Sequence, residues 1–199
     1  YQWGRKDAFP GTDAIADGSF IKNAGNNMSI TNGIQHPENF YTWGSSWQSA
    51  PPTGYTYDNL WSANNTSRTY NDNPVVKTIY DPCPAGFKLP ASNAFNGFTK
   101  FGNNTGVSSE FNISDTWDHG WHFNNKLTNP DASVYFPASG YRDYTIGLLG
   151  DVGAAGYHWS AIPAGSGYGI YLDFRKEFVK TQYYNYSSYA FAVRPVADE

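Results

Sequence analysis

The residues best equipped for chemistry lie in the last quarter of the chain. Gln182-Tyr183-Tyr184-Asn185-Tyr186-Ser187-Ser188-Tyr189 interleaves tyrosine with serine and asparagine. Tyrosine offers a large amphipathic contact area while freezing few torsions, and Ser and Asn adapt their hydrogen bonds. Tyr is also a residue type enriched at binding hot spots, with Arg and Trp. This is the chemistry of non-covalent recognition. One shared surface is expected from His158, Tyr168, Asp173, Arg175, Phe178, Tyr183, Tyr184, Asn185, Tyr186, Ser188 and Tyr189. The competing reading is a sheet interior, since cross-strand aromatic pairs stabilise sheets by ~0.2–1 kcal/mol each. The tyrosines lack the clean alternation of a core strand, which favours the surface reading.

Other chemistries find less support. His119-Gly120-Trp121-His122, with Asp115 and Asp118 upstream, has a usable histidine spacing for a metal. No third strong ligand is fixed by spacing, and the stretch reads as a loop, so solvated or packing histidines are the plainer reading. No metal site is assigned. Asn129-Pro130-Asp131 and Trp117-Asp118 are poor echoes of a calcium-dependent sugar site, although a structural Ca²⁺ held by loop carbonyls and Asp stays open. Gly165-Ser166-Gly167-Tyr168-Gly169 opens no convincing helix, so it reads as a turn rather than a phosphate loop. No Gly-x-Ser-x-Gly elbow with a supporting acid and His is present. Cys83 is the single cysteine and reads as a small buried hydrophobe. No catalytic residues are assigned, and the chain is read as a non-enzyme without a cofactor.

The elements that must position the tyrosines are short. Turn signals recur about every ten residues, from Pro10-Gly11 and Asn32-Gly33 to Asn129-Pro130 and Ser139-Gly140. Ser29 to about Gln35 is a candidate helix. Ser92 is a candidate cap for a second, with Ala94, Phe95, Phe98 and Phe101 as its stripe. Gly169 to Arg175 alternates: Ile170, Leu172 and Phe174 fall on one face, and Tyr171, Asp173 and Arg175 fall on the other, read as outward. Ala190–Arg194 alternates too, with Phe191 and Val193 inward. Val75–Tyr80 and Val134–Phe136 are further strand candidates. Charged residues are 15% and aromatics 18%, against a typical ~25% charged, so large rings must build the core. The net charge of −4 gives no footprint for nucleic acid. No apolar run is long enough to span a membrane. A single domain over residues 1–199, α+β or mostly β, is expected.

Three ordered segments carry a resemblance: Tyr80-Asp81-Pro82-Cys83-Pro84-Ala85-Gly86-Phe87-Lys88-Leu89-Pro90; Phe136-Pro137-Ala138-Ser139-Gly140-Tyr141-Arg142 with Gly156-Tyr157-His158-Trp159-Ser160; and Ala190-Phe191-Ala192-Val193-Arg194-Pro195-Val196. Tyr1–Asp7, Ile21-Lys22-Asn23 and Asn39-Phe40-Tyr41 extend it over nearly the whole chain. Together they resemble the major paralogous domain of Bacteroidetes and Fibrobacter surface proteins, related to the C-type lectin-like fold in its formylglycine-generating-enzyme branch. The ending Val-Arg-Pro-Val, where many relatives have Val-Arg-Cys, resembles the variable proteins of diversity-generating retroelements.

The resemblance implies a C-type lectin-like fold of antiparallel strands, few short helices and long irregular loops. It implies ligand binding by an adhesin at a cell surface or pilus tip, with a protein or glycan on another surface as partner and pilus subunits as neighbours. The chain, opening on Tyr1, is expected to be the C-terminal part of a longer surface protein. In such systems template adenines are mutated, and an Asn codon of the AAC type yields many residues but never Lys, Glu, Gln, Trp or Met. All the surface positions named above fit that rule. Lys176, Glu177, Lys180 and Gln182 do not, and would be fixed. Formylglycine-generating enzymes need a pair of thiols, which one cysteine cannot supply. Trp159, Phe191, Val193, Leu89 and Tyr141 are expected in the core, and Asp81 and Arg142 to pair or bond backbone. The alternatives are a structural fimbrial or lipoprotein module, and a glycan-binding domain with Trp43, Trp47, Trp61 and Trp121 as stacking platforms.

Overall fold

Short apolar runs broken by Gly and Pro can pair only as short strands, and most of the strands that form are short. The computed structural model describes residues 1–15, 18–43, 51–165 and 167–199. One α-helix, α1 (Ile30–Gln35), is followed by β1 (Phe87–Lys88), β2 (Gly120–Asn124), β3 (Ser133–Pro137), β4 (Tyr141–Arg142), β5 (Leu149–Gly150), β6 (Ala155–Gly165), β7 (Tyr168–Arg175), β8 (Val179–Tyr186), β9 (Ala192–Val193) and β10 (Val196–Ala197). The strands pair mostly antiparallel and helices are few, which is compatible with an α+β class.

The main sheet has the order β8-β7-β6-β9. Tyr157 pairs with Asp173 and Trp159 with Tyr171 across β6 and β7; Tyr171 pairs with Tyr183 and Asp173 with Lys180 across β7 and β8. A register shift between Tyr171 and Asp173 bulges the second pair. Leu172 and Phe174 share one side of β7 as predicted, but Ile170 joins the core of Tyr171, and the predicted outward face is absent. Tyr171 and Asp173 are buried, like Leu172 and Phe174, because packed residues cover both faces. Leu172 and Phe174 meet Phe123, Phe136 and Val179 on one side. Tyr171 joins Trp159, Phe191 and Leu89 in the larger core.

Close approach explains two glycines. A Cβ on Gly156 would lie 2.0 Å from Phe174, and one on Gly169 would lie 2.4 Å from Trp3. Rings dominate the core around Phe174, and in the larger core they pack with aliphatic chains such as Leu60, Leu89, Ile162 and Ile170. Phe98 stacks on Phe123 at 4.0 Å, and Phe123 meets Phe174 edge-on at 5.6 Å. Such pairs contribute ~0.5–1.5 kcal/mol beyond their area burial.

Other expectations divide. Ser29 caps α1 by accepting the Asn32 N–H at 3.0 Å. Ser92 instead begins a 3-10 segment, Ser92–Phe98, and its hydroxyl binds Asn71 rather than a helix end. Phe101 lies beyond that segment and is exposed. Val75–Tyr80 forms no strand; Lys77 makes one bridge to Ser62. His119–His122 is not a loop throughout: Gly120 starts β2, which pairs with β3. The N- and C-terminal strands, expected close together in one sheet, do meet: Gln2 bridges Ala190 antiparallel, and Tyr1 and Phe191 exchange main-chain bonds. Trp159, Phe191 and Leu89 are buried as expected, whereas Val193 and Tyr141 are half-buried at the core margin. Asp81 and Arg142 bind backbone separately. Asp81 accepts the Cys83 and Leu89 N–H groups, and Arg142 donates to Pro10, Thr12 and Gly147 carbonyls and to Asp13.

Candidate functional site

The register of β7 and β8 distributes the tyrosines. Tyr168 pairs with Tyr186, Ile170 with Tyr184 and Tyr171 with Tyr183. Tyr184 is 53% and Tyr183 39% exposed, while Tyr168, Tyr186 and Tyr189 are half-buried. Tyr168 stacks on Tyr186 at 4.9 Å, and Tyr186 stacks on Tyr144 at 5.0 Å. Trp43, 50% exposed, leans on the same Tyr186 ring at 5.3 Å. Tyr184 continues the series from Tyr168 at 5.9 Å, with Tyr183 beside it. Six aromatic side chains therefore form a continuous tract at one end of the main sheet.

A fixed base holds this tract. Gln182 exchanges bonds with Asn104 through its main-chain N–H and carbonyl, and its side-chain amide donates to Asn93 and Asn96. The Ser187 N–H donates to Gly167, and Trp3 donates its N–H to Ser187. Side chains presented from an ordered base lose less freedom on binding.

Next to the tract, on the Tyr171 side of β7, is a cavity of about 200 Å³. Tyr189 joins the two, touching Tyr144 at 4.7 Å and Tyr141 at 5.5 Å. Asp151, Asp173 and Arg175 supply the cavity's charge, and Tyr141, Tyr157 and Tyr171 supply much of its aromatic wall. Asp151 accepts from the Tyr157 hydroxyl at 2.8 Å and pairs with Arg175, which also donates to that hydroxyl at 3.0 Å. Asp173 is 5% exposed; its Oδ2 lies 3.4 Å from Lys180 Nζ, and its Oδ1 has no hydrogen-bond partner. Burial holds the Asp173 carboxyl above its usual range, against the opposing pull of Lys180 and Arg175.

The expected surface is thus only partly assembled. Tyr168, Tyr183, Tyr184 and Tyr186 share the tract, while Asp173, Arg175, Asn185 and Tyr189 line the cavity. Phe178 belongs to neither, but Lys180 lies over both its ring and that of Tyr183, at 4.5 and 4.3 Å, and Arg175 lies 6.0 Å from it. His158 and Ser188 cannot face a ligand. His158 is 2% exposed, between Phe136 and Phe174. Ser188 is buried where Gln2 binds its carbonyl. Trp61 and Trp121 are buried and so offer no platform, and Trp47 lies outside the described residues. Tyr144 and Asp151 are additions that the sequence reading missed. Tyr144 was signalled by the aromatic run Tyr141-Arg142-Asp143-Tyr144, whereas nothing local marked Asp151.

The remaining candidates have packing or pairing roles. His122 pairs with Asp115 at 2.7 Å and His119 with the Gly153 carbonyl at 3.0 Å. Among the described residues no three metal-ligating side chains cluster. Burial pushes the Cys83 thiol up to about 12, as expected for an inert interior thiol. No helix among the described residues is long and apolar enough to cross a membrane.

A family model described as a domain of unknown function (DUF8237) matches residues 104–196. The match spans the cavity and every member of the tract except Trp43. No curated protein and no solved structure matches the chain.

Proposed function

We propose that this chain is a non-catalytic recognition domain of a cell-surface or pilus-tip adhesin, with a C-type lectin-like fold, acting outside the cell. The observation that carries the reading is the anchored aromatic tract of Trp43, Tyr144, Tyr168, Tyr183, Tyr184 and Tyr186. Isolated exposed rings are ordinary, but a contiguous aromatic patch rimmed by polar groups marks an interaction site. Tyr and Trp carry most of the binding energy at such sites.

Retroelement diversification of the C-terminal stretch is part of the proposal, restricted to positions that reach solvent. Two residues outside the adenine rule do anchoring work: Gln182 ties β8 to Asn93, Asn96 and Asn104, and Lys180 faces Asp173. Holding those two constant while exposed neighbours vary would preserve the base.

The test is a screen of the purified domain against arrays of extracellular proteins and of glycans, beside the triple variant Tyr183→Ala, Tyr184→Ala, Tyr186→Ala. We expect a ligand whose affinity falls at least 100-fold in the triple variant and at least tenfold in Tyr183→Ala with Tyr184→Ala alone, which spares the half-buried Tyr186 ring and keeps the thermal midpoint within a few degrees of wild type. A ligand bound equally by all three proteins would overturn the reading.

A further inference from the structure

We propose that the cavity beside the tract is a socket for a primary ammonium group, the end of a lysine side chain presented by a protein ligand. The inference rests on the recognition reading and names the chemistry of its ligand.

Three features of the cavity converge on this group. First, the cavity is lined by Asp173, whose buried Oδ1 has no donor. A buried carboxylate oxygen without a partner carries a desolvation penalty, and a bound N–H donor would relieve it. Second, the neighbouring charges pair with each other. Asp151 Oδ2, Arg175 and Tyr157 are mutually bonded, and Lys180 reaches only Asp173 Oδ2, at 3.4 Å, while packing on the Phe178 and Tyr183 rings. Among the carboxylate oxygens of the cavity, Asp173 Oδ1 is the buried one without a donor. A guanidinium is matched to two carboxylate oxygens at once, whereas an ammonium is a compact point charge that one oxygen can hold. Third, Tyr141, Tyr157, Tyr189 and Phe191 contribute aromatic rings to the wall, and a cation near such faces is attracted by the ring quadrupole.

The position fits a protein partner. Tyr189 belongs to the cavity wall and also touches Tyr144 of the tract. A ligand lying on the tract could therefore send one side chain inward.

The experiment uses n-butylammonium and n-butanol as a matched pair, titrated at constant ionic strength into the intact domain with isotope-labelled tyrosine rings. We expect n-butylammonium to shift Tyr141, Tyr157 and Tyr189 and to bind at least tenfold more tightly than n-butanol. Asp173→Asn should weaken it at least tenfold. Lys180→Met, which removes the competing ammonium, should tighten it several-fold, a gain that a merely structural role for Asp173 would not produce. Equal binding of the alcohol, no binding of either probe, or an unchanged affinity in Asp173→Asn would overturn the proposal. Tyr183, Tyr184 and Tyr186 do not line the cavity. Failure of the probes with the tract variants still losing their ligand therefore removes the socket and leaves the recognition reading standing.

Discussion

His158 shows how burial reassigns a residue whose type suggests binding. Its ring lies parallel to Phe174 at 5.9 Å and edge-on to Phe136 at 4.9 Å. Burial lowers its pKa from 6.5 to about 4, with Arg194 adding to the effect and the Pro137 carbonyl opposing it. The folded state thus holds the neutral form, and protonation must be forced against the core. The stabilising contribution is complete above about pH 6.5 and is lost as the pH falls towards 4. At pH 4.5 the loss is on the order of 2–3 kcal/mol. Denaturant unfolding at pH 7 and pH 4.5 checks this against His158→Phe. The wild type should lose about 2 kcal/mol more than the variant. Asp173, whose raised pKa acts with the opposite sign, is common to both proteins and cancels in the difference. Parallel losses would contradict the account. The residue types were readable in the sequence, but burial depends on partners distant in the chain, which local alternation does not report.

The supporting element is the β6–β7–β8 unit, and its precision depends on close backbone packing. Gly156 sits opposite Phe174 with no room for a methyl group. Gly156→Ala must displace the Phe174 ring from its contacts with Phe123, Trp117 and His158. The expected cost is about 1–3 kcal/mol, read as a lowered midpoint in denaturant. Phe174→Leu added to Gly156→Ala should recover part of what each loses alone, since contacting residues are not additive. Strict additivity would contradict the steric reading. At this scale β7 was legible from its period of two, and α1 from Ser29. The outward assignment of Tyr171 and Asp173 failed for a physical reason. Alternation says which side chains share a face but not whether that face is covered. Here Phe191, Tyr189 and Tyr141 arrive from later or separate segments to cover it. The loop reading of His119–His122 fails because a positive-φ turn residue, His119, is followed at once by β2, whose first residue, Gly120, is itself a turn-forming type.

In the whole molecule, the first residues and the last quarter form one body. Gln2 is fully buried and donates to the Tyr41 and Ser188 carbonyls; Trp159 donates to the Tyr1 carbonyl. Trp3 packs on Trp61 at 5.1 Å and lies against Gly169. The match to residues 104–196 therefore covers the β6–β7–β8 unit without the segment that seals its core. The composition made an aromatic core legible, and the closeness of the two ends was expected, but the contacts of Gln2 and Trp3 that seal it are long-range ones that no motif encodes. Trp43 shows the consequence for function: it lies far from Tyr186 in sequence yet extends the same tract. The central claim is that this tract is where a ligand lies. Hydroxyl-radical footprinting of the free domain and of its complex with a ligand from the array screen tests it directly. Trp43, Tyr144, Tyr183, Tyr184 and Tyr186 should be reactive when free and protected when bound, with Phe101 and Ile79 unchanged. Protection at Phe101 or Ile79 with Tyr183 and Tyr184 still reactive in the complex would contradict the account.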